Sequence, residues 1–467
     1  MDGTGVQVRF RVEDVPRAEA ARALALDLNR AGYETFFAGG CVRDALLDRP
    51  LRDIDLATAA TPDQVEALFP GETVAVGKAF GVVVARRGGF AFDVATFRTD
   101  GPYRDGRHPE HIAFANAKGD ALRRDFTVNG LFCDPATGAV TDYVGGLADL
   151  RARVIRAIGD PAARFREDRL RMLRAVRFAA VLGFTVDART REALEVWAPR
   201  ITEVSPERVA HELNRMLCEA PSPSMALNLM RETGLLSPVL PEVARLHGTA
   251  QPPRFHPEGD VWTHTCLMLD ALPPPRDPTL AWAVLLHDLG KPETYCEETD
   301  PATGAARIRF PCHAPVGAAL AEALLTRLRQ PAARIAEVRA LVAGHMRGVE
   351  SGKMRRATLR RFLGEPGFPR MLELMRLDMR HSNGDLTLWR QLADAYASFV
   401  SEPVLPEPLV RGRDLIAWGV PAGPRVGKLL RELYDAQLEG RLATLEQARE
   451  TVCGRRSGRR NGKAGGQ

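Results

Sequence analysis

The stretch that most constrains this chain is FAGGCVRDALLDRPLRDIDL, Phe37 to Leu56. Gly39-Gly40 make a small-residue turn, Arg43-Asp44 follow on what reads as a helix start, and Asp53-Ile54-Asp55 sit inside a short apolar run. Side chains at i and i+2 of a strand share a face, so this spacing predicts Asp53 and Asp55 side by side with Ile54 and Leu56 turned to a core. Two such carboxylates can hold a pair of Mg²⁺ ions. Phosphoryl or nucleotidyl transfer uses such a pair to activate an attacking hydroxyl and stabilise the departing pyrophosphate. The glycines let the backbone approach a triphosphate, and the N–H groups of the next helical turn, with Arg43, would meet its charge. An isolated Asp-x-Asp also occurs on solvated strands and loops; here the Gly-Gly and Arg-Asp that accompany it point to chemistry.

Around this stretch the pattern predicts a helix over 16–31, ended by Gly32, and a strand from Tyr33 to Ala38. A helix from Val42 to Leu47, the strand carrying Asp53 and Asp55, and a helix over 62–69 come next. Strands Gly81 to Ala85 and Ala91 to Phe97 join at Gly88-Gly89, which completes a small mixed sheet flanked by helices. Asp93 alternates with apolar residues in FAFDVATFR and faces either the same cleft as Asp53 and Asp55 or the wet side of the sheet. Residues 98–115, RTDGPYRDGRHPEHIAFA, read as a mobile loop of the kind that can act as a lid.

From Arg164 the chain turns helical and begins a second, all-helical region. The net charge is only +5, so a surface for nucleic acid must be local. It is expected between Arg151 and Arg177, where nine arginines stand against Asp160, Glu167 and Asp168. Asp168, Arg171, Arg174 and Arg177 recur every three residues, which places them on adjoining parts of one helix surface. Cytosine and adenine both offer an exocyclic amino group beside an unprotonated ring nitrogen; uracil and guanine offer a carbonyl beside a ring N–H. An Asp acceptor and an Arg donor one turn apart would accept C and A and reject U and G. The alternative is a solvated face of i, i+3 ion pairs.

A Pro-rich linker, Leu246 to Trp262, leads to another helical region. There His264, the His287-Asp288 dyad in LAWAVLLHDLGKP, His313, His345 and Asp378 offer N and O ligands to one or two divalent metals. Residues 408–452 read as helical, and the tail from Gly454, with five basic residues and no acid, reads as disordered and open to RNA. A length of 467 residues allows two to four domains. No apolar run is long enough to span a bilayer and the N-terminus lacks a signal-peptide core, so a cytoplasmic chain with no membrane partner is expected. Seven cysteines without a CxxC pair argue for reduced thiols.

In order along the chain, GGCVRD, RDIDL, RRDFTVN, DYVGGLADL and EDRLRMLRAVRF resemble the motifs of the class II tRNA nucleotidyltransferases, the CCA-adding enzyme and poly(A) polymerase family. The resemblance spans residues 20–450, and the later helical region is similar to the HD metal-dependent phosphohydrolase domain that some members carry. It implies an α+β chain: a nucleotidyltransferase head with a mixed sheet and helices over 1–155, an all-α neck over 156–245, an HD helical domain over 246–400, a helical segment over 401–453 and a basic tail over 454–467. Carried onto this sequence, it implies Mg²⁺ at Asp53 and Asp55, triphosphate contact by Gly40 and Arg43, and ribose and motif contacts by Arg124, Asp125 and Asn129. Asp168 and Arg171 would read the base, with Arg174 and Arg177 supporting the nucleotide and its phosphates. Gly130 stands where the family more often has alanine and would leave extra backbone freedom beside Asn129. The implied activity is template-independent addition of CCA to tRNA from CTP and ATP, with a second divalent metal at the HD ligands. CC-only or A-only addition, poly(A) synthesis, and phosphohydrolysis at RNA-end or nucleotide phosphates are the alternatives; the sequence DGRHP in the loop argues mildly against a CC-only enzyme.

Overall fold

In a computed structural model, residues 6–8, 11, 14–75, 77–101, 111–299, 304, 306–399 and 403–460 are described. They divide into two compact units: one runs to Ala244 and includes Pro274–Pro278 and Arg327–Gln330, and the other comprises Arg245–Pro273, Thr279–Thr326 and the chain from Pro331.

The first unit opens with α1 (Val15–Arg30), which buries Ala18, Ala21, Leu24, Ala25 and Leu28 on one stripe at helical spacing. Then come β1 (Thr35–Ala38), α2 (Gly40–Leu46), β2 (Leu56–Thr58), α3 (Pro62–Leu68), β3 (Thr73–Val74), β4 (Val82–Arg87) and β5 (Phe90–Thr96). A short hairpin of β6 (Arg98–Asp100) and β7 (Ile112–Phe114) precedes α4 (Ala117–Arg123), β8 (Leu131–Cys133), β9 (Val140–Asp142) and α5 (Gly146–Ala152). Seven of these strands form one mixed sheet in the order β3-β4-β5-β2-β1-β8-β9. In it β2 and β5 run parallel and the other paired neighbours antiparallel. Phe36, Phe97 and Phe132 meet in tilted and edge-on contacts 5.9–6.3 Å apart and pin the centre of the sheet. After β10 (Val154–Ile155) the unit is helical: α6 (Pro161–Glu167), α7 (Leu170–Leu182), the short β11 (Thr185–Val186) paired with β10, α8 (Ala188–Trp197), α9 (Pro206–Glu219), α10 (Pro223–Glu232), α11 (Leu236–Val239) and α12 (Pro241–Ala244).

Three expectations need correction here. The strand predicted to carry Asp53 and Asp55 begins only at Leu56, where its ladders with β1 and β5 both start; ahead of it Asp55 keeps one backbone bond to the end of β1, from Ala38 N–H to its carbonyl. The alternation survives nonetheless, with Ile54 and Leu56 buried and Asp53 and Asp55 exposed. Asp168 is not on the helix with Arg171, Arg174 and Arg177; it lies between α6 and α7, where its carboxylate accepts from Leu170 N–H at 3.1 Å, a local bond that favours Asp at helix ends over helix interiors. The loop 98–115 has a two-stranded stem, β6 with β7, and its DGRHP sequence lies outside the described residues.

The second unit contains α13 (Val261–Asp270), α14 (Pro278–Leu286), α15 (Lys291–Thr294), α16 (His313–Arg327), α17 (Ala332–Gly344), α18 (Arg356–Leu363), α19 (Phe368–His381) and α20 (Thr387–Ala397). It is not wholly helical: β12 (Cys296–Thr299) and β13 (Ala306–Arg309) form an antiparallel hairpin. His264 lies within α13, and His287-Asp288 fall in the turn after α14. The last helices, α21 (Gly412–Ala417), α22 (Pro424–Leu438) and α23 (Leu445–Arg460), enclose their own apolar cluster around Leu415, Val420, Leu433 and Ala448. The tail expected to be disordered from Gly454 continues α23 to Arg460, and residues 461–467 lie outside the described residues. Among the described residues no helix is long and apolar enough to cross a membrane.

Candidate active site

In the first unit the end of β1, the start of α2, the segment before β2, the turn after α4 and the face of α7 converge on an open cavity of about 510 Å³. Its lining holds nine arginines and five aspartates, so it is strongly positive with carboxylates set into it. It gathers eleven of the residues singled out in the sequence, Gly40, Arg43, Asp53, Asp55, Arg124, Asp125, Asn129, Asp168, Arg171, Arg174 and Arg177; Asp93 is not in its lining, and the six His and Asp candidates from His264 to Asp378 lie in the second unit.

Asp93 on β5 joins the carboxylates. Leu56 of β2 pairs with Val94 of β5 in parallel register, which brings the residues before them, Asp55 and Asp93, alongside each other. Loss of water around Asp55, repulsion from Asp93 and the weaker repulsion from Asp53 raise its pKa from 3.8 to about 6, against the pull of Arg124. Partial burial and Asp53 raise Asp93 as well. A cluster of hard oxygen donors short of positive charge suits a hard divalent cation.

The cationic side chains are held in place by a chain of partners. Arg124 donates from Nε and Nη2 to Asp120 at 3.1 and 2.9 Å and from Nη1 to the Asn129 carbonyl at 3.2 Å, and it lies 5.0 Å from the Phe132 ring centre. Arg43 donates to both oxygens of Asp44 at 2.8 and 2.9 Å and to Asn129 Oδ1. Asn129 Nδ2 donates in turn to Asp125 at 2.9 Å, and Asp125 also receives Phe126 N–H at 2.8 Å and Arg174 Nε at 2.8 Å. Burial opposes the charge on Asp125, but Arg174 and the bond from Asn129 more than offset it and hold the carboxyl well below its usual range. Arg124 and Arg123 likewise outweigh burial at Asp120 and hold its carboxyl low.

Gly39 caps α2 at φ +76° and ψ −125°, and a Cβ there would lie 2.6 Å from Arg124 Nη1, so only glycine allows the turn and the arginine together. Gly130 contributes close packing where the sequence suggested freedom: a Cβ there would lie 2.6 Å from Val144 Cγ2. Arg171 is buried and donates to the Arg164 and Arg123 carbonyls at 3.1 and 3.3 Å and to Glu167, while Arg177 forms an ion pair with Glu212 in which both side chains are 2% exposed. Asp168 receives a two-pronged bond from Arg208 at 3.2 and 2.7 Å. Asp120, Glu212 and Arg208 were not foreseen. Asp120 had a readable signal, since it stands three and four residues before Arg123 and Arg124 on α4; Arg208 lies forty residues from Asp168 and had none.

The second unit gathers its own polar cluster. His264, His287 and Asp378 form one group of ligand atoms and Asp288, His313 and His345 another, the atoms within each lying within 4.8 Å of one another. His287, His313 and His345 each place Nδ1 2.7–3.0 Å from the backbone carbonyl three residues earlier, so each donates there and keeps a lone pair on Nε2. Two of those lone pairs then face each other, His313 Nε2 to His345 Nε2, at 3.2 Å. Among the described residues, buried Nε2 of His287 completes no hydrogen bond. Asp288 turns one oxygen to His287 Nε2 at 3.1 Å and the other toward His313 and His345 at 3.7 and 3.8 Å, and so reaches both groups. Glu258 accepts from His264 and His256, and Lys291 sits 2.6 Å from Asp288; none of Glu258, His256 or Lys291 was foreseen, although Lys291 follows the dyad by three residues in HDLGK.

A mixed sheet that sets a carboxylate cluster into an arginine-lined cavity defines a nucleotidyltransferase. Residues 35–156 match the poly(A) polymerase head domain and residues 183–246 the probable RNA- and SrmB-binding site of polymerase A. The chain is 36% identical over 434 residues to a CCA-adding enzyme of Geobacillus thermodenitrificans, an alignment that covers 91% of this chain and 94% of that one. It is 30% identical over 443 residues to a CCA-adding enzyme of Lactobacillus johnsonii, covering 94% and 98%. The chain belongs to the CCA-adding enzyme family. The crystal structure of the Bacillus stearothermophilus CCA-adding enzyme in complex with CTP is similar over 96% of this chain and 99% of that one, with a TM-score of 0.74 at 28% identity. The Thermotoga maritima CCA-adding enzyme complexed with tRNA shares the fold, with a TM-score of 0.59 at 19% identity.

Proposed function

We propose that this protein adds C, C and A in turn to the 3′ end of tRNA from CTP and ATP, without a nucleic-acid template and with release of pyrophosphate. The carrying observation is that Asp53 and Asp55 line one cavity with Asp168, Arg171 and Arg174, and its volume of about 510 Å³ suits a single nucleoside triphosphate. Asp53 and Asp55, with Asp93 beside them, would hold divalent metal, taken here as Mg²⁺, which supplies positive charge at the attacking hydroxyl and the triphosphate. Arg43 and Arg124, fixed by Asp44, Asn129 and Asp120, meet the triphosphate without having to reorganise as charge develops. Arg174, locked on Asp125, backs the nucleotide; Asp168 accepts the amino group of C or A and Arg171 donates beside it. The reading also carries a cytoplasmic role in tRNA processing and a division of the chain into head, neck, HD domain and C-terminal segment, the last supported by its separate apolar cluster. Asp53→Ala and Asp55→Ala should each abolish extension of a tRNA ending before CCA while leaving the thermal midpoint close to that of the parent; extension at the parent rate by either variant would overturn the assignment.

The second unit supports a second activity, metal-dependent hydrolysis of a phosphate ester of the HD type. The observation that favours it is the buried set of inward lone pairs on His287, His313 and His345 with Asp288 between them, which fits two divalent cations. The adjoining cavity of about 560 Å³ has Lys291 and Arg307 for a phosphate and Phe255, Met346, Met375 and Leu388 for an apolar or aromatic moiety. Hydrolysis of 2′,3′-cyclic AMP or 2′-AMP that is lost in Asp288→Ala, with nucleotide addition retained, would support it; equal hydrolysis by the parent and Asp288→Ala would contradict it.

A further inference from the structure

We propose that Arg208 is the positioning residue that aims Asp168 at the incoming base and so sets the discrimination of C and A from U and G. This rests on the reading of Asp168 as the base's acceptor.

Asp168 stands in the junction between α6 and α7, where its N–H donates to the Arg164 carbonyl at 3.3 Å and its carbonyl accepts from Arg171 N–H at 3.1 Å, bonds that hold its backbone but leave the aim of its side chain to other partners. Its carboxylate is oriented by side-chain and capping bonds. Oδ1 accepts from Leu170 N–H at 3.1 Å and Arg208 Nη1 at 3.2 Å, and Oδ2 accepts from Arg208 Nη2 at 2.7 Å. A carboxylate offers about four lone-pair sites, so these three bonds leave roughly one, on Oδ2, for a ligand. The two parallel bonds of a guanidinium fork also fix the plane of the carboxylate, whose rotation about χ2 is otherwise broad. One free acceptor site in a fixed plane suits the amino group shared by cytosine and adenine and has nothing to offer the carbonyl of uracil or guanine.

Arg208 is itself anchored. It lies on α9, and Glu212, one turn further along the same helix, takes Arg177 of α7 in the fully buried ion pair. The α9 helix therefore grips the start and the middle of α7 at once. Arg171 makes no hydrogen bond to the Asp168 carboxylate among the described residues; its Nη1 donates to Glu167 and the Arg164 carbonyl and its Nη2 to the Arg123 carbonyl. The relative aim of Asp168 and Arg171 thus depends on Arg208.

The test is single-nucleotide addition to a tRNA transcript ending before CCA, with CTP and with UTP, and to one ending in CC, with ATP and with GTP. The parent is compared with Asp168→Ala, Arg208→Ala and Arg208→Lys. In both Asp168→Ala and Arg208→Ala the ratios of kcat/KM for CTP over UTP and for ATP over GTP should fall by about tenfold or more, the size of one lost polar readout. In Arg208→Ala the loss for CTP should appear as a raised KM more than a lowered kcat. Arg208→Lys keeps the charge but not the fork and should not restore the ratios; it also carries the test if Arg208→Ala fails to fold. If both Arg208 variants slow all four nucleotides alike and leave the ratios unchanged while Asp168→Ala loses them, Arg208 is only structural and the proposal is overturned. Parent ratios in Asp168→Ala would overturn the underlying reading of Asp168 itself.

Discussion

The carboxylate cluster should bind cations with an acid dependence set two units above that of an ordinary aspartate pair. The pKa of Asp55 is pushed up to about 6 because the surrounding protein hinders its hydration, although solvent still reaches it, and because it faces Asp93 and Asp53; a cation needs the ionised form. At pH 5 a group with that pKa is about one-tenth ionised, whereas one at the ordinary 3.8 is more than nine-tenths ionised. Cation affinity in the cavity should therefore weaken about tenfold between pH 7 and pH 5, not below pH 4. Free Mn²⁺ can be followed by electron paramagnetic resonance in parent and Asp55→Ala, the sites lost in the variant being those of the cavity. A second readout has the opposite sign. A carboxylate whose folded pKa is raised costs the fold nothing below its ordinary value and most above the raised one. Metal-free Asp55→Asn should then melt above the parent at pH 8 and together with it near pH 4, and added Mg²⁺ should reverse the order at pH 8. Equal Mn²⁺ affinity in the cavity at pH 5 and pH 7, or no stabilisation by Asp55→Asn at pH 8, would refute the reasoning.

Asp125→Ala leaves Arg174 without its partner and Asn129 without its acceptor; because Arg174 keeps a third of its side chain in water, the cost should be about 2–3 kcal/mol, read as a thermal midpoint lower by roughly 4–10 °C. Asp125 and Asp120 have depressed pKa values, so their contribution is complete above the ordinary carboxylate range and the midpoint should fall as pH drops below about 4, less steeply in Asp120→Asn. Gly39→Ala should destabilise by about 1–3 kcal/mol from backbone strain alone and, by displacing Arg124, raise KM for both nucleotides, seen in calorimetry and steady-state kinetics. His345→Ala should lower the divalent metal retained by the second unit after dialysis, measured by plasma mass spectrometry, and leave CCA addition unchanged; full retention would argue against His345 as a ligand.

The head of the chain was legible because its signals are local. Gly39-Gly40, Arg43, Asp53 and Asp55 lie within one sheet-turn-helix passage, and alternation around Ile54 and Leu56 survives even where the strand does not form. What set the strand's start was where its ladders with β1 and β5 begin, at Leu56, a tertiary event that period-two patterning does not record. Asp168 read as helical by its spacing to Arg171, but a carboxylate that bonds a nearby backbone N–H favours the helix junction. The long-range clamps, Arg208 on Asp168 and Glu212 on Arg177, join residues 35–40 apart and leave no periodic trace. In the second unit the His and Asp residues that cluster were legible one by one, while Glu258 and His256 sit in a Pro-rich stretch that reads only as linker.

The most direct measurement is extension of three tRNA transcripts, ending before CCA, after C and after CC, each given Mg²⁺ with CTP, ATP or both, and resolved to single nucleotides. With CTP alone the first should gain two residues and the second one; with ATP alone the third should gain one; with both, all three should reach CCA and stop. Long A tails, addition of A to the CC-ended transcript alone, or a halt at CC with both nucleotides present would contradict CCA addition by this chain.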